Sequence, residues 1–89
     1  MRMHVLVQGR VQGVGFRWFV RETARELNLA GWVRNRPDGT VEVAAEGSAA
    51  MIERLRDELR KGPSGAVVTS IDDLESIDQA HDHPFGIVR

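Results

Sequence analysis

The chain has 89 residues, 42% of them hydrophobic, with no cysteine and a formal net charge of -1. That length allows one small domain around a single core and leaves no room for a second. The missing cysteines exclude disulfide staples and thiolate metal sites, and the near-neutral balance argues against a general nucleic-acid binder.

Near the N-terminus Met3, Val5 and Val7 alternate with His4, Leu6 and Gln8, the period-two pattern of a half-buried strand. The segment Gly9-Arg10-Val11-Gln12-Gly13-Val14-Gly15-Phe16-Arg17 follows, carrying three glycines and two arginines. From about Trp18 to Leu29 the residues Phe19, Val20, Thr23, Ala24 and Leu27 fall at helical spacing, with Glu22 and Arg25 on the other side. Gly31–Arg36 and Thr40–Glu46 read as two strands of a hairpin joined by Arg36-Pro37-Asp38-Gly39, a strong turn signal. In the second of these strands Val41, Val43 and Ala45 face one way and Glu42, Ala44 and Glu46 the other. Glu42 and Glu46 are placed to pair across strands with Arg34 or Arg36, each pair worth about a few tenths of a kcal/mol. Ser48 suits the N-cap of a second helix whose apolar stripe is Met51, Ile52, Leu55 and Leu59. Arg60 and Lys61 suit its last turn, Gly62 its end, and Pro63 stops it. A fourth strand is expected over about 66–74, then an acidic loop through Asp82 and a short last strand over 84–88.

The order is therefore β-α-β-β-α-β with an optional short fifth strand. Two helices cannot cover both faces of one small sheet, so both are expected on one face of an antiparallel sheet. That is an α+β, ferredoxin-like sandwich, one domain over residues 1–89. In this plan the first two strands run parallel through a right-handed crossover, with the third between them. The loop after the first strand and the end of the second then share one edge of the sheet, roughly 10 Å apart.

At that edge the glycine segment stands between a strand and a helix. Glycine lets backbone N–H groups turn toward a ligand, and the helix N-terminus adds unpaired donors and partial positive charge. The combination describes an anion cradle, best suited to phosphate. Residues 1–36 hold seven arginines against two glutamates, whereas residues 37–89 hold eleven acids against five basic groups. A positive half carrying the cradle attracts anions. Arg17 offers a fork of donors matched to phosphate oxygens. Asn35, on the same strand face as Val33, offers a carboxamide that accepts from a water while donating to an anion. An arginine on phosphate and an amide on water suit hydrolysis of a phosphate ester or anhydride. Taken alone, Arg17 also reads as a surface arginine at a helix start, and Asn35 as a residue flanking a turn. Gly13-Val14-Gly15 is neither a Walker A loop nor a dinucleotide fingerprint. His81-Asp82-His83 has metal-compatible spacing but reads better as a polar loop, and Trp32, opposite Val33 and Asn35, reads as packing.

Gly9–Arg17 resembles the first signature of the acylphosphatase family, G-x-V-Q-G-V-x-F-R. Gly31–Glu42 is similar, at every fixed position, to the second, G-W-V-x-N-x-x-D-G-x-V-E. Gly62-Pro63 followed by Gly65-Ala66 also resembles the family, while Phe85-Gly86-Ile87-Val88-Arg89 departs from its usual last strand. The resemblance implies hydrolysis of a carboxyl-phosphate anhydride to carboxylate and inorganic phosphate by a positioned water, with no cofactor, metal or covalent intermediate. It implies that Arg17 binds the substrate phosphate and Asn35 orients the water. The backbone amides of Gln12, Gly13, Val14, Gly15 and Phe16 would hold the remaining phosphate oxygens.

An RNA-recognition module shares the element order but needs stacking aromatics on its central strands, and the first and third strands carry none. A regulatory phosphate binder would need the cradle alone. The signatures also resemble the start of large hydrogenase-maturation proteins acting on carbamoyl phosphate. A chain ending at Arg89 without cysteine zinc motifs reads instead as a free-standing enzyme. No stretch reaches the roughly 20 apolar residues of a membrane span, and the N-terminus shows no leader pattern. A cytoplasmic monomer is expected, acting on a small acyl phosphate, with no nucleic-acid or membrane partner.

Overall fold

The first strand buries every second residue: Met3, Val5 and Val7 enter the core, and His4 and Leu6 face the other side. In the computed structural model, which describes residues 1–75 and 84–88, this strand, β1, spans Arg2–Arg10. It is followed by α1 (Phe16–Glu26), β2 (Ala30–Asn35), β3 (Val41–Glu46), α2 (Ala49–Lys61), β4 (Val67–Asp73) and β5 (Gly86–Ile87). The sheet order is β4-β1-β3-β2-β5. β3 is antiparallel to both β1 and β2, which makes those two parallel, as the ferredoxin-like plan requires.

β5 pairs in parallel with β2, so the sheet is mixed rather than wholly antiparallel. β4, antiparallel to β1, ends on the side of the sheet where β2 begins. A strand entered from that side runs parallel to β2.

Both helices pack on one face. α1 buries Phe16, Val20 and Ala24, and α2 buries Ile52, Leu55 and Leu59, each set spaced to form one stripe. These stripes meet Val5, Val7, Val33 and Val43 of the sheet. α1 starts two residues earlier than the spacing predicts, because Phe16 is the first core residue of the helix as well as the last but one of the glycine segment. It stops three residues earlier because Asn28 adopts a left-handed φ of 58° that turns the chain toward β2. Ser48 caps α2, its Oγ accepting from the Met51 amide at 3.3 Å.

The opposite face holds a polar cluster centred on Glu42. Its carboxylate accepts from Arg34 Nε at 2.7 Å and lies 2.6 Å from His4 Nε2, with Arg36 at 3.4 Å. Glu42 is 4% exposed. The expected cross-strand pairing of Glu42 with Arg34 and Arg36 is therefore made by a buried acid with partly exposed arginines, because β3 is flanked by strands on both sides and Trp32 stands edge-on to His4. Glu46 reaches Arg2. Among the described residues no helix is long and apolar enough to cross a membrane.

Candidate active site

The loop between β1 and α1 is shaped by backbone torsion. Gly13 and Gly15 hold φ of 75° and 76°, a left-handed conformation that a side chain resists by roughly 1–2 kcal/mol. A Cβ at either would meet nothing within 4 Å, so the requirement is torsional and not one of space. Gly15 is the N-cap of α1 and supplies no side-chain cap. The first helical bond of α1 runs from the Phe19 amide to the Gly15 carbonyl at 3.0 Å. The amides of Phe16, Arg17 and Trp18 therefore have no partner within the helix. No acid stands in the first turn, which leaves the partial positive charge there uncancelled.

Asn35 approaches this loop from the end of β2. It is paired across Val41 of β3, which is paired in turn with Val7 of β1. Two strand spacings, roughly 10 Å, separate it from β1. Its Oδ1 is buried, and no hydrogen-bond donor reaches it among the described residues. An unpaired buried acceptor costs about 1–3 kcal/mol. Arg17, half-buried in the first turn of α1, makes no ion pair or hydrogen bond among the described residues. Its guanidinium is free to meet an anion.

Gly13, Gly15, Phe16, Arg17 and Asn35 line one cavity of about 310 Å³. The structure thus brings together most of the residues singled out from the sequence. Gln12 and Val14 are not among the lining residues. Val14 packs, partly buried, against the core. Gln12 turns its carboxamide to the β2–β3 hairpin, donating from Nε2 to the Arg36 carbonyl at 2.8 Å and the Thr40 carbonyl at 2.9 Å. That hairpin is set by Asp38, whose Oδ1 accepts from the Thr40 hydroxyl at 2.6 Å and the Thr40 amide at 3.0 Å. These bonds, with Arg36 nearby, hold the Asp38 carboxyl below its ordinary pKa.

Sequence reasoning missed the apolar side of the cavity, Val11, Trp18 and Ile87. Trp18 is 57% exposed and covered on one side by the Arg21 guanidinium at 5.5 Å. A signal existed for it, since Trp18 falls off the α1 stripe of Phe16, Val20 and Ala24. Ile87 offered none, because only the parallel pairing of Val33 with Ile87 brings it to this edge. His81, Asp82 and His83 lie outside the described residues. Among the described residues no group of three His, Cys, Asp or Glu side chains is placed to hold a metal ion.

The sequence matches the Acylphosphatase family model over residues 3–87. It is 53% identical, over 70 residues, to an acylphosphatase of Chlorobaculum tepidum, covering 79% of this chain and 76% of that one. The fold superimposes on the crystal structure of acylphosphatase from Bacillus subtilis with a TM-score of 0.85 at 40% identity, covering 99% and 98% of the two chains. It also superimposes on T. kodakarensis HypF with a TM-score of 0.85 at 38% identity, covering 100% of this chain and 12% of that one.

Proposed function

This chain belongs to the acylphosphatase family, and from that premise we propose that it hydrolyses the carboxyl-phosphate anhydride of small acyl phosphates. The substrate phosphate sits on the glycine loop, where the amides of residues 12–16 donate to its oxygens. Arg17 forks two further donors onto it. Asn35 Oδ1 accepts from a water and holds it against phosphorus. The water oxygen attacks phosphorus and the bond from phosphorus to the acyl oxygen breaks, its electron pair leaving on the carboxylate. An amide is no base, so the water's proton passes to a phosphate oxygen. A carboxylate, whose conjugate acid has a pKa of about 4, leaves without help from a general acid.

Phosphoryl transfer of this kind is positioning and charge stabilisation. Each donor aimed at developing charge contributes about 3 kcal/mol by analogy with oxyanion holes, and a held water adds a proximity effect. The scheme uses no metal, cofactor or covalent intermediate. It is carried by one observation: the buried, unpartnered Oδ1 of Asn35 belongs to a residue lining the same cavity as Arg17. A purely regulatory phosphate binder would have no use for that acceptor.

The same reading makes the protein a single-domain cytoplasmic monomer with neither nucleic acid nor membrane as partner. Against an RNA-binding sheet stands the engagement of Trp32, edge-on to His4 at 6.0 Å and covered by Arg34 at 5.5 Å. Phosphate release from benzoyl phosphate, with p-nitrophenyl phosphate as the ester control and EDTA in both, tests the activity. Anhydride hydrolysis that outpaces the ester and survives EDTA is expected. Folded protein that leaves benzoyl phosphate at its spontaneous rate overturns the proposal.

A further inference from the structure

The phosphate cradle and the water-holding amide belong to segments that share no backbone pairing. The cradle follows β1 and Asn35 ends β2, with β3 between them. The β2–β3 ladder begins at the pair Asn35 and Val41, so Asn35 stands at its turn end. The end of such a ladder is where a hairpin opens most readily. The separation between water and phosphorus therefore needs a tie from outside the hairpin.

Gln12 supplies one. Its Nε2 donates to the carbonyls of Arg36 and Thr40, at 2.8 and 2.9 Å. Those carbonyls close the neck of the hairpin, for the Arg36 amide donates to Thr40 O at 2.9 Å and the Gly39 amide to Arg36 O at 3.1 Å. One carboxamide thus donates to both sides of the neck, one side being Arg36, the residue next to Asn35. From the other end, Gln12 is continuous with the glycine loop through Gly13. We propose that the Gln12 side chain is a positioning residue that clips the hairpin to the phosphate loop and keeps the Asn35 water in line with the bound phosphate.

The clip rests on the reading of Asn35 as the residue that holds the water. Misplacement by about 1 Å costs roughly a hundredfold in rate. Gln12→Met keeps the length of the side chain and deletes both donors. With benzoyl phosphate its kcat is expected to fall by about tenfold to a hundredfold, whereas inhibition by inorganic phosphate changes by less than about threefold, because Arg17 and the loop torsions are untouched. In an Asn35→Ala background the same substitution should change kcat by less than about twofold, since residues acting as a unit are not additive.

An equal loss in both backgrounds overturns the clip, and so does a phosphate affinity that falls in parallel with kcat. Gln12→Asn keeps the donors but shortens their reach, and serves if Gln12→Met does not fold. A wild-type chain inactive on benzoyl phosphate would refute the activity and not the clip. The side-chain amide signals of Asn35 in 15N NMR then decide: broadened or displaced in Gln12→Met supports the clip, and unchanged overturns it.

Discussion

Replacing Asn35 by alanine separates what this residue does for the fold from what it does for turnover. Its Oδ1 is buried and receives no hydrogen bond among the described residues. Deleting it therefore removes no protein hydrogen bond at that atom and relieves an unsatisfied acceptor worth about 1–3 kcal/mol. Truncation also removes the packing of the carboxamide against its neighbours, which acts in the opposite direction and on the same scale. A net stability change within about 1 kcal/mol is expected, which for a domain of this size is a Tm shift of no more than about 4–8 °C. The rate is a different matter. Loss of one preorganised polar group at the reacting centre costs about a hundredfold to a thousandfold in kcat. Phosphate binding, held by Arg17 and the loop, should change by less than about twofold. The assay joins thermal unfolding followed by circular dichroism, kcat on benzoyl phosphate, and competitive inhibition by inorganic phosphate. A large fall in Tm with normal turnover of the folded fraction would make Asn35 a hairpin residue only. A phosphate affinity that collapses with kcat would refute the division of roles between Asn35 and Arg17.

Arg17→Ala should do the reverse of Asn35→Ala on binding. Hydrogen bonds to charged groups are worth about 1.5–3 kcal/mol each, so losing the two-donor fork should weaken inhibition by phosphate by at least about a hundredfold and lower the rate as well. Tm should hardly move, because Arg17 makes no ion pair among the described residues; Arg17→Lys should recover only part of the affinity. Unchanged phosphate inhibition in Arg17→Ala would remove the arginine from the site. At Glu42 burial pushes the carboxyl pKa up, but hydrogen bonds from His4 and Arg34 outweigh it and the group titrates below its ordinary 4.5. The unfolded chain then binds the extra proton first on acidification. Glu42 therefore contributes stability that is complete above pH 4.5 and lost as pH falls through the folded value. Urea unfolding of wild type and Glu42→Gln across the acid range should show a shallower acid loss in the variant, and parallel curves would contradict it.

Much of this molecule is legible in its sequence, and for a physical reason. Turns, caps and periodicity depend on groups within four or five residues of each other. Hence Asp38-Gly39 closes a hairpin, Ser48 caps α2, and the apolar stripe of α2 falls where the spacing puts it. The handed crossover extends this reach, because it places the end of β1 and the end of β2 at one edge before any coordinate is known. Phe16 marks where local reading falters. It belongs to the glycine segment by motif and to the core by burial, and only the packed helix reveals the second role.

The rest is a matter of dryness and long reach. The alternation in β3 puts Glu42 on the face away from Val41 and Val43; flanking strands and the His4 and Trp32 rings bury it there. Ile87 joins the cavity only because β5 lies parallel to β2. Element order, the shared sheet edge and the residues able to grip phosphate or hold water there are all readable from local pattern. Packing of the whole chain was needed to leave the Asn35 oxygen at that edge buried and unpaired, and to let Gln12 bond the neck of the same hairpin across 24 and 28 residues of chain. Solvent exclusion and hydrogen bonds between distant segments are properties of packed neighbours, and no local pattern encodes them.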